Sequence, residues 1–209
     1  MTRGLVIGKF MPVHAGHLAL IEFASGHCDE LIVSMSYKEN DPISGKARFS
    51  WLKEIFIDSR KVKPVLVKDD FDNESLPWPE RTRVWARFLK RQYQNIDILV
   101  SSEDYGVLLA EALECRYLSF DPNRKIVPVS ATRIRENPFT HWEFIPKIVR
   151  PYFVKKICFY GPESTGKSFL AQKLAVRYHT EFVPEVAREV VTSNEFTLDD
   201  IIKIGNLHV

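Results

Sequence analysis

Long apolar runs are missing from this 209-residue sequence, and cysteine is scarce. No uninterrupted apolar stretch approaches the roughly 18 residues that a membrane span needs, and the N-terminus has too few apolar residues for a signal peptide. The cysteines, Cys28, Cys115 and Cys158, are odd in number, far apart and without a C-x-x-C pair. This spacing disfavours a disulfide framework and a zinc site, so we expect reduced thiols and a cytoplasmic protein.

A strong excess of charge of one sign is also missing. The 29 Lys and Arg residues against 27 Asp and Glu give a net charge of +2, which argues against a nucleic acid as the main ligand. With 45% hydrophobic and 12% aromatic residues, disorder, collagen and coiled coil are excluded. At roughly 100–200 residues per domain, the length allows one large domain or one and a half smaller ones.

Short apolar runs alternate with amphipathic segments over the first part of the chain. The runs predict buried parallel strands at Gly4–Gly8, Leu31–Ser36, Val62–Val67, Ile96–Ser101 and Arg116–Phe120. The intervening segments predict helices at Gly16–Ser25, Lys46–Asp58, Glu80–Tyr93 and Tyr105–Glu114. This alternation predicts an α/β fold with a doubly wound parallel sheet, whose ligands bind beyond the carboxyl ends of the strands.

The pattern begins again after about residue 150. A strand at Lys155–Tyr160, a loop at Gly161–Gly166 and a helix at Lys167–His179 are predicted, after a helical connector over Pro138–Pro151. A second short strand at Glu181–Glu185 and helices at Val186–Ser193 and Leu198–Asn206 follow. We therefore expect two domains, at residues 1–150 and 151–209.

The first predicted strand runs into the sequence GKFMPVHAGH, from Gly8 to His17. Gly8 permits close approach of a ligand to the backbone, and the next helix begins at the two histidines. A helix start offers free N–H groups and partial positive charge to a phosphate, and imidazoles that are cationic near neutral pH would add to both.

This segment resembles the G-x-F-x-P-x-H-x-G-H signature of the nucleotidylyltransferase superfamily. The second signature of that superfamily, I-S-x-T-x-I-R, has its counterpart in VSATRIR, from Val129 to Arg135. Ser130 is placed to cap a helix there, and Arg135 is a fork-shaped donor for phosphate. The resemblance implies a Rossmann-like nucleotidylyltransferase domain.

A phosphate-binding loop is predicted in the second part of the chain. GPESTGKS matches G-x-x-x-x-G-K-[ST] and lies between a predicted strand and a predicted helix. In such loops the backbone N–H groups cradle phosphates, the lysine reaches the β- and γ-phosphates and the hydroxyl after it binds Mg²⁺. The predicted residues are Gly161, Glu163, Ser164, Thr165, Gly166, Lys167 and Ser168, with Ser168 as the Mg²⁺ ligand.

The two motifs in this order resemble the NadR-type bifunctional proteins, which join a nicotinamide-mononucleotide (NMN) adenylyltransferase to a ribosylnicotinamide kinase. The connector RENPFTHWEFIP, followed by RPYFV, is similar to the connector of that family. Glu185 and Arg188 resemble residues near the kinase nucleoside site. Because the family's kinase domain continues for about another hundred residues, we expect residues 151–209 to form its N-terminal part only, with little kinase activity.

The resemblance implies transfer of AMP from ATP to NMN, giving NAD⁺ and pyrophosphate, with Mg²⁺ accompanying ATP. His14, His17 and Arg135 are the implied catalytic residues, and Phe10 and Trp85 the implied NMN contacts, with Trp78 and Trp51 as weaker candidates. Contacts to ATP or its phosphates are expected from Gly8, Lys9, Phe10, Gly16, Lys46, Arg48, Ser101, Glu103, Arg124, Ser130 and Thr132. No nucleic-acid partner and no membrane insertion are expected, and a homo-oligomer remains open.

Three alternatives compete with this interpretation. One is an adenylyltransferase for another acceptor, such as phosphopantetheine, which the connector and the phosphate-binding loop disfavour. Another is ribosylnicotinamide kinase as the main activity. The third, from a different class, is a sensor or regulator that binds nucleotides without turnover.

Overall fold

The computed structural model describes residues 1–184, 187–191 and 197–207, without the side chains of 188, 189 and 207. It divides into two compact units, Met1–Val154 and Lys155–Val209. In the described ranges, no helix combines the length and the apolar character needed to cross a membrane.

The first unit is a five-stranded sheet of parallel strands in the order β3-β2-β1-β4-β5. The strands are β1 (Arg3–Gly8), β2 (Glu30–Tyr37), β3 (Val62–Lys68), β4 (Ile98–Ser101) and β5 (Arg116–Ser119). The helices are α1 (Ala15–Ser25), α2 (Gly45–Ile55), α3 (Trp78–Gln92), α4 (Tyr105–Leu113) and α5 (Ala131–Glu136). The predicted fold class is confirmed.

Helices cover both faces of the sheet. Successive strand residues point to opposite faces, so each strand contributes side chains to both cores. Val6, Val33 and Val100 pack with α1, α2 and α5 on one face. Leu5 and the residues paired with it on β2 and β4, Ile32 and Leu99, pack with α3 and α4 on the other. This two-sided burial explains why the central parts of the strands are largely apolar and were readily predicted.

The central position of β1 determines where a ligand can bind. The chain winds outward from β1 to β3 and then returns to add β4 on the other side of β1. The order therefore reverses between β1 and β4, which opens a crevice at their carboxyl ends. Gly8 and Ser101 end these two strands.

The connector and the second unit differ in part from the sequence prediction. The connector, predicted to be helical, contains two short 3-10 helices, Trp142–Phe144 and Arg150–Tyr152. The second unit has α6 (Lys167–Tyr178), α7 (Ala187–Val190) and α8 (Leu198–Leu207).

The two strands predicted in the second unit are not observed. Residues 155–160 and 181–184 have no strand conformation, and residue 185 lies outside the described residues. A strand is stabilised by hydrogen bonds to a neighbouring strand, and the described residues of this unit provide none.

Candidate active site

His14 begins helix α1 and is fixed by it. As the N-cap residue it has extended backbone, and its Nδ1 accepts a hydrogen bond of 3.1 Å from the Gly16 N–H. Because an N–H can only donate, Nδ1 carries no proton in the neutral ring, and the proton lies on Nε2. The capping contact therefore leaves Nε2–H as the donor available to a ligand.

Gly16 is required by the position of this ring. A Cβ at residue 16 would lie 3.0 Å from Cε1 and 3.1 Å from Nδ1 of His14, closer than ordinary packing allows. The close approach of the His14 ring thus explains why the H-x-G-H motif has a glycine at this position.

The second histidine is stacked on the first. The ring centroids of His14 and His17 are 3.8 Å apart with an interplanar angle of 28°. The ring centroids of Phe10 and His17 are 4.9 Å apart, with the two rings tilted relative to each other, and Phe10 is 1% exposed. The predicted nucleotide contact Phe10 is therefore placed as a support for His17.

Both histidines are neutral near pH 7, which corrects the expectation of cationic imidazoles. Burial, reinforced by the positive charge of Arg124, lowers the pKa of His14 to about 4. Burial lowers the pKa of His17 well below its ordinary value, with His14 and Arg124 adding to the effect. In addition, Nδ1 of His17 is buried without a hydrogen-bond partner. The pair thus supplies donors without carrying positive charge.

The second motif is joined to the first. Ser130 caps α5 by accepting from the Arg133 N–H at 3.3 Å. Arg135 donates to the carbonyl oxygen of Met11, and its Nη2 donates to Thr132 Oγ1 at 3.2 Å. The structure therefore brings Arg135 to the loop that ends at His14.

The segment between β5 and α5 is organised by the carboxylate of Asp121. Asp121 accepts from the backbone N–H groups of Lys125, Ile126 and Val127 at 2.6, 3.0 and 3.1 Å. Burial opposes ionisation of Asp121, but these hydrogen bonds dominate and lower its pKa. The loop they fix carries Arg124, whose charge acts on both histidines.

Two further predicted residues lie beside this loop. Arg124 is 3.4 Å from Glu103, in an exposed pair. The hydroxyl of Ser101 is turned toward the loop after β4, where it accepts from the Glu103 N–H at 3.0 Å. Ser101 is therefore placed to shape the loop that carries Glu103.

Arg48 does not lie where a direct phosphate contact was predicted. Its side chain is fully buried and paired with Asp41. It also donates to the carbonyl oxygens of Ile43 at 2.9 Å, Ser36 at 3.2 Å and Lys9. Because these oxygens and a carboxylate consume its donors, Arg48 holds the β1–α1 loop in place.

Lys46 lies at the exposed start of α2, where Ser44 caps the helix by accepting from the Ala47 N–H at 3.2 Å. Lys46 thus retains the exposure that a phosphate contact requires.

A cavity of about 190 Å³ opens beside Gly8 and Lys9. Trp85 lines it, as expected for a ring-binding residue, and its Nε1 donates to Asp72 at 2.9 Å. Its other lining residues are Ile7, Ser36, Asp72, Trp78, Arg81, Thr82, Tyr105 and Leu109. A larger groove of about 430 Å³ runs between α3 and α4, and it shares only Thr82 with this cavity.

The aromatic candidates separate clearly in the structure. Trp78 stacks on Tyr105 with ring centroids 4.9 Å apart, at the cavity wall. Trp51 is buried in the core and meets Tyr152 edge-on at 5.6 Å. Trp51 is therefore a packing residue, and Trp78 and Trp85 are the tryptophans of the site.

The loop predicted to bind phosphate has the backbone of a tight turn. Ser164 and Gly166 adopt left-handed conformations, with φ of 61° and 80°, and α6 begins directly afterwards at Lys167. Lys167 Nζ donates to the Pro162 carbonyl, and Thr165 Oγ1 donates to the same oxygen at 2.9 Å. Glu185 and the side chain of Arg188 lie outside the described residues.

Comparison with known families identifies the first unit. A family model described as cytidylyltransferase-like matches residues 5–137. The chain belongs to the cytidylyltransferase-like family. A second model, described as an AAA domain, matches residues 156–207, which include the phosphate-binding loop.

Curated relatives of this cytidylyltransferase-like chain include the trifunctional NAD biosynthesis/regulator protein NadR of Escherichia coli. It is 32% identical over 211 residues, covering 92% of this chain and 50% of NadR. The chain thus spans about half the length of the NadR relatives it matches. A nicotinamide-nucleotide adenylyltransferase of Sulfurisphaera tokodaii is 29% identical, covering 74% of this chain and 91% of that protein. A phosphopantetheine adenylyltransferase of Streptococcus agalactiae is 31% identical, covering 70% and 92%.

Solved structures agree with this assignment. The crystal structure of a NadR protein in complex with NAD and AMP-PNP has a TM-score of 0.66 at 26% identity, covering 97% of this chain and 62% of that one. A NadR complex with NR has a TM-score of 0.70 at the same identity, covering 97% and 60%. The resemblance to the NadR-type proteins is confirmed.

Proposed function

We propose that this protein transfers AMP from ATP to NMN, giving NAD⁺ and pyrophosphate. The observation that carries the proposal is the stacked pair of His14 and His17 at the start of α1, with Arg135 bound to the Met11 carbonyl of the preceding loop. Gly8 and Lys9, at the start of the same loop, line an aromatic cavity. We assign the adenylyltransferase to residues 1–150 and the N-terminal part of a P-loop kinase-like domain to residues 151–209.

The acceptor phosphate needs no strong general base. Its second pKa is near 6, so it is mostly a dianion at pH 7, and one of its oxygens attacks the α-phosphorus of ATP directly. The bond from that phosphorus to the bridging oxygen breaks, and pyrophosphate leaves with the electron pair. The site must therefore hold two polyanions in line and stabilise the charge that shifts to the leaving group.

The residues of the first unit suit these two tasks. The Nε2–H of His14 donates to ATP phosphate oxygens, and we place His17 nearest the transferred α-phosphate. Ser130, Thr132 and Arg135 serve the β- and γ-phosphates. Because the imidazoles are neutral, Arg124 provides positive charge nearby. Glu103, exposed and paired with Arg124, orients that guanidinium.

The cavity lined by Trp85 suits the nicotinamide ring. A cationic pyridinium over an indole face gains about 1–2 kcal/mol, and the Asp72 hydrogen bond holds the indole in one orientation. Relatives that act on NMN support this choice of acceptor over phosphopantetheine, since the match to NadR extends through the second unit.

We propose that Mg²⁺ accompanies ATP. Among the described residues, no group of three His, Cys, Asp or Glu side chains is arranged to hold a metal ion. The hydroxyls and imidazoles of this site fit an ion that keeps most of its ligands as water and phosphate oxygens, as Mg²⁺ commonly does. Bound in this way, Mg²⁺ would neutralise charge on the leaving pyrophosphate. In the second unit, Ser168 is the proposed Mg²⁺ ligand beside the phosphate-binding loop.

The substrates and product, ATP, NMN and NAD⁺, are small molecules, and we place the reaction in the cytoplasm, which suits three free cysteines. One experiment separates the alternatives. Purified protein is incubated with ATP, Mg²⁺ and NMN, phosphopantetheine or ribosylnicotinamide, and the products are resolved by chromatography. We expect NAD⁺ and pyrophosphate from NMN only, and little NMN from ribosylnicotinamide.

His17→Ala tests the assignment of the site. Loss of one donor to developing charge typically lowers the rate about 10²–10³-fold, so NAD⁺ formation should fall by that factor with the fold unchanged by circular dichroism. His27→Ala, at an exposed histidine beyond α1, is the matched control and should retain the wild-type rate. ATP binding without NAD⁺ formation by the wild type would favour the sensor, and rapid phosphorylation of ribosylnicotinamide would favour the kinase.

A further inference from the structure

Three cations from three segments of the first unit meet at one carboxylate oxygen. Oε1 of Glu74 lies 2.9 Å from Lys38 Nζ, 3.5 Å from Lys9 Nζ and 4.0 Å from Arg81 Nη2. Lys9 follows β1, Lys38 follows β2 and Arg81 lies in α3. A single negative oxygen surrounded by three cations is the arrangement that a bound phosphate would also require.

This cluster lies at the edge of the aromatic cavity. Lys9 and Arg81 line that cavity together with Trp85, while Glu74 comes from the segment between β3 and α3. The side chain of Glu74 is 55% exposed, so its carboxylate can move into solvent without breaking core packing. The cations are less free, because Arg81 is held by Asp72 and Lys38 lies 3.9 Å from the buried Asp69.

Lys9 depends most on Glu74. Among the ion pairs of the described residues, its ammonium has Glu74 as its sole carboxylate partner. Glu74 is kept ionised because hydrogen bonding to Lys38, with the charge of Lys9, lowers its pKa. If Glu74 moved away, Lys9 would be left at the cavity with its charge unpaired.

We propose that Lys9, Lys38 and Arg81 form the subsite for the phosphate monoester of the acceptor nucleotide, and that Glu74 occupies it until the substrate displaces it. The inference rests on the proposed function, which supplies a phosphate monoester as substrate. A phosphate monoester carries about 1.5–2 negative charges at pH 7 on three oxygens, against one charge on a carboxylate. The dianion therefore displaces Glu74, whereas a riboside without the phosphate does not.

Glu74→Gln tests this competition directly. The substitution keeps the size of the side chain and removes its charge, so the dissociation constants of NMN and of inorganic phosphate should fall about 3–10-fold at low salt, given exposed ion pairs of modest strength. The dissociation constant of ribosylnicotinamide, which lacks the phosphate, should not change. Isothermal titration calorimetry measures all three ligands.

Two further variants complete the experiment. Glu114→Gln makes the same change at an exposed glutamate, which pairs with Lys90 at 2.6 Å, and should leave every dissociation constant at the wild-type value. Lys9→Ala should weaken NMN binding, and the tightening by Glu74→Gln should be smaller in the Lys9→Ala background.

The outcomes separate this inference from the proposed function. If wild-type protein binds NMN but Glu74→Gln leaves that affinity unchanged or weakens it, the inference is overturned and the function stands. If wild-type protein does not bind NMN, the proposed function fails. The subsite is then tested by inorganic phosphate alone: a lower dissociation constant in Glu74→Gln supports it, and an unchanged one overturns it. Circular dichroism establishes that each variant is folded.

Discussion

The burial of His14 contributes to the pH dependence of the stability of this protein. Burial, with the charge of Arg124, lowers its pKa to about 4 in the folded protein, against 6.5 for an unperturbed histidine. The unfolded chain therefore takes up a proton first as the pH falls. The stability linked to His14 is complete above pH 6.5 and is lost progressively between pH 6.5 and pH 4.

The corresponding test is His14→Asn, since asparagine caps a helix well and does not titrate. Urea unfolding at pH 7.5 and pH 5 should show a smaller loss of unfolding free energy for His14→Asn than for the wild type. His17 keeps part of the pH dependence in this variant. An equal pH dependence in both proteins would show that His14 does not contribute it.

We predict that Arg48 contributes to the stability of the protein. Its side chain binds Asp41 and backbone carbonyl oxygens, although a phosphate contact was expected from the sequence. Replacing Arg48 by alanine removes the ion-pair partner of Asp41 and one donor from each of three carbonyl oxygens. Breaking a buried ion pair from one side typically costs about 3–5 kcal/mol, so the unfolding free energy should fall by that amount. Chemical denaturation measures it, with exposed Lys46→Ala as a control expected to stay within about 0.5 kcal/mol.

At the level of elements, the start of α1 has two roles: it is capped by His14, and it positions the stacked imidazoles of His14 and His17. Gly16→Ala should lower the rate of NAD⁺ formation about 10²-fold, because a methyl group at this position displaces the His14 ring from its capping contact. The melting temperature should change little, since alanine favours the helix while the cap is weakened.

Gly205→Ala provides the control for Gly16→Ala. It places a methyl group in a helix where no atom lies within 4 Å of the new Cβ, and the rate should be that of the wild type. A wild-type rate for Gly16→Ala as well would show that the ring position of His14 does not matter for the reaction.

Elements that are stabilised locally or by two-sided burial could be predicted from sequence. All five strands of the first unit were predicted to within two residues at each end, because a buried parallel strand is apolar on both faces. The strand predicted at residues 155–160 fails for the converse reason. Its apolar run resembles a strand, but hydrogen bonding to a neighbour decides whether one forms, and a short run carries no information about that neighbour.

The site shows the same division between local and tertiary information. His14, Gly16 and Ser130 act within a few residues of themselves, so a motif is enough to find them. The contact of Arg48 with the Lys9 carbonyl and the convergence of Lys9 and Lys38 on Glu74 depend on loops from different strands. Spacing along the chain gives no signal for such meetings, so Lys38 and Glu74 were missed and the contacts of Arg48 were not predicted.

For the whole molecule, we predict that the two phosphate-binding motifs act separately. Every residue assigned to adenylyl transfer lies in Met1–Val154, and the phosphate-binding loop lies in Lys155–Val209. Lys167→Ala should therefore weaken ATP binding to the second unit without changing kcat/KM for NAD⁺ formation. Calorimetry and a coupled NAD⁺ assay measure the two effects, and Lys173→Ala on the same helix is the control. A tenfold fall in kcat/KM would contradict this independence.

The contact between Arg135 and the Met11 carbonyl has a consequence for synthesis of the chain. The two residues are 124 positions apart, so at roughly 5–20 residues per second a ribosome needs about 6–25 s between them. During this interval the segment with His14 and His17 has already been synthesised, but Arg135, which binds the loop before His14, has not. The two motifs can therefore be joined by this contact only when synthesis has passed the fifth helix.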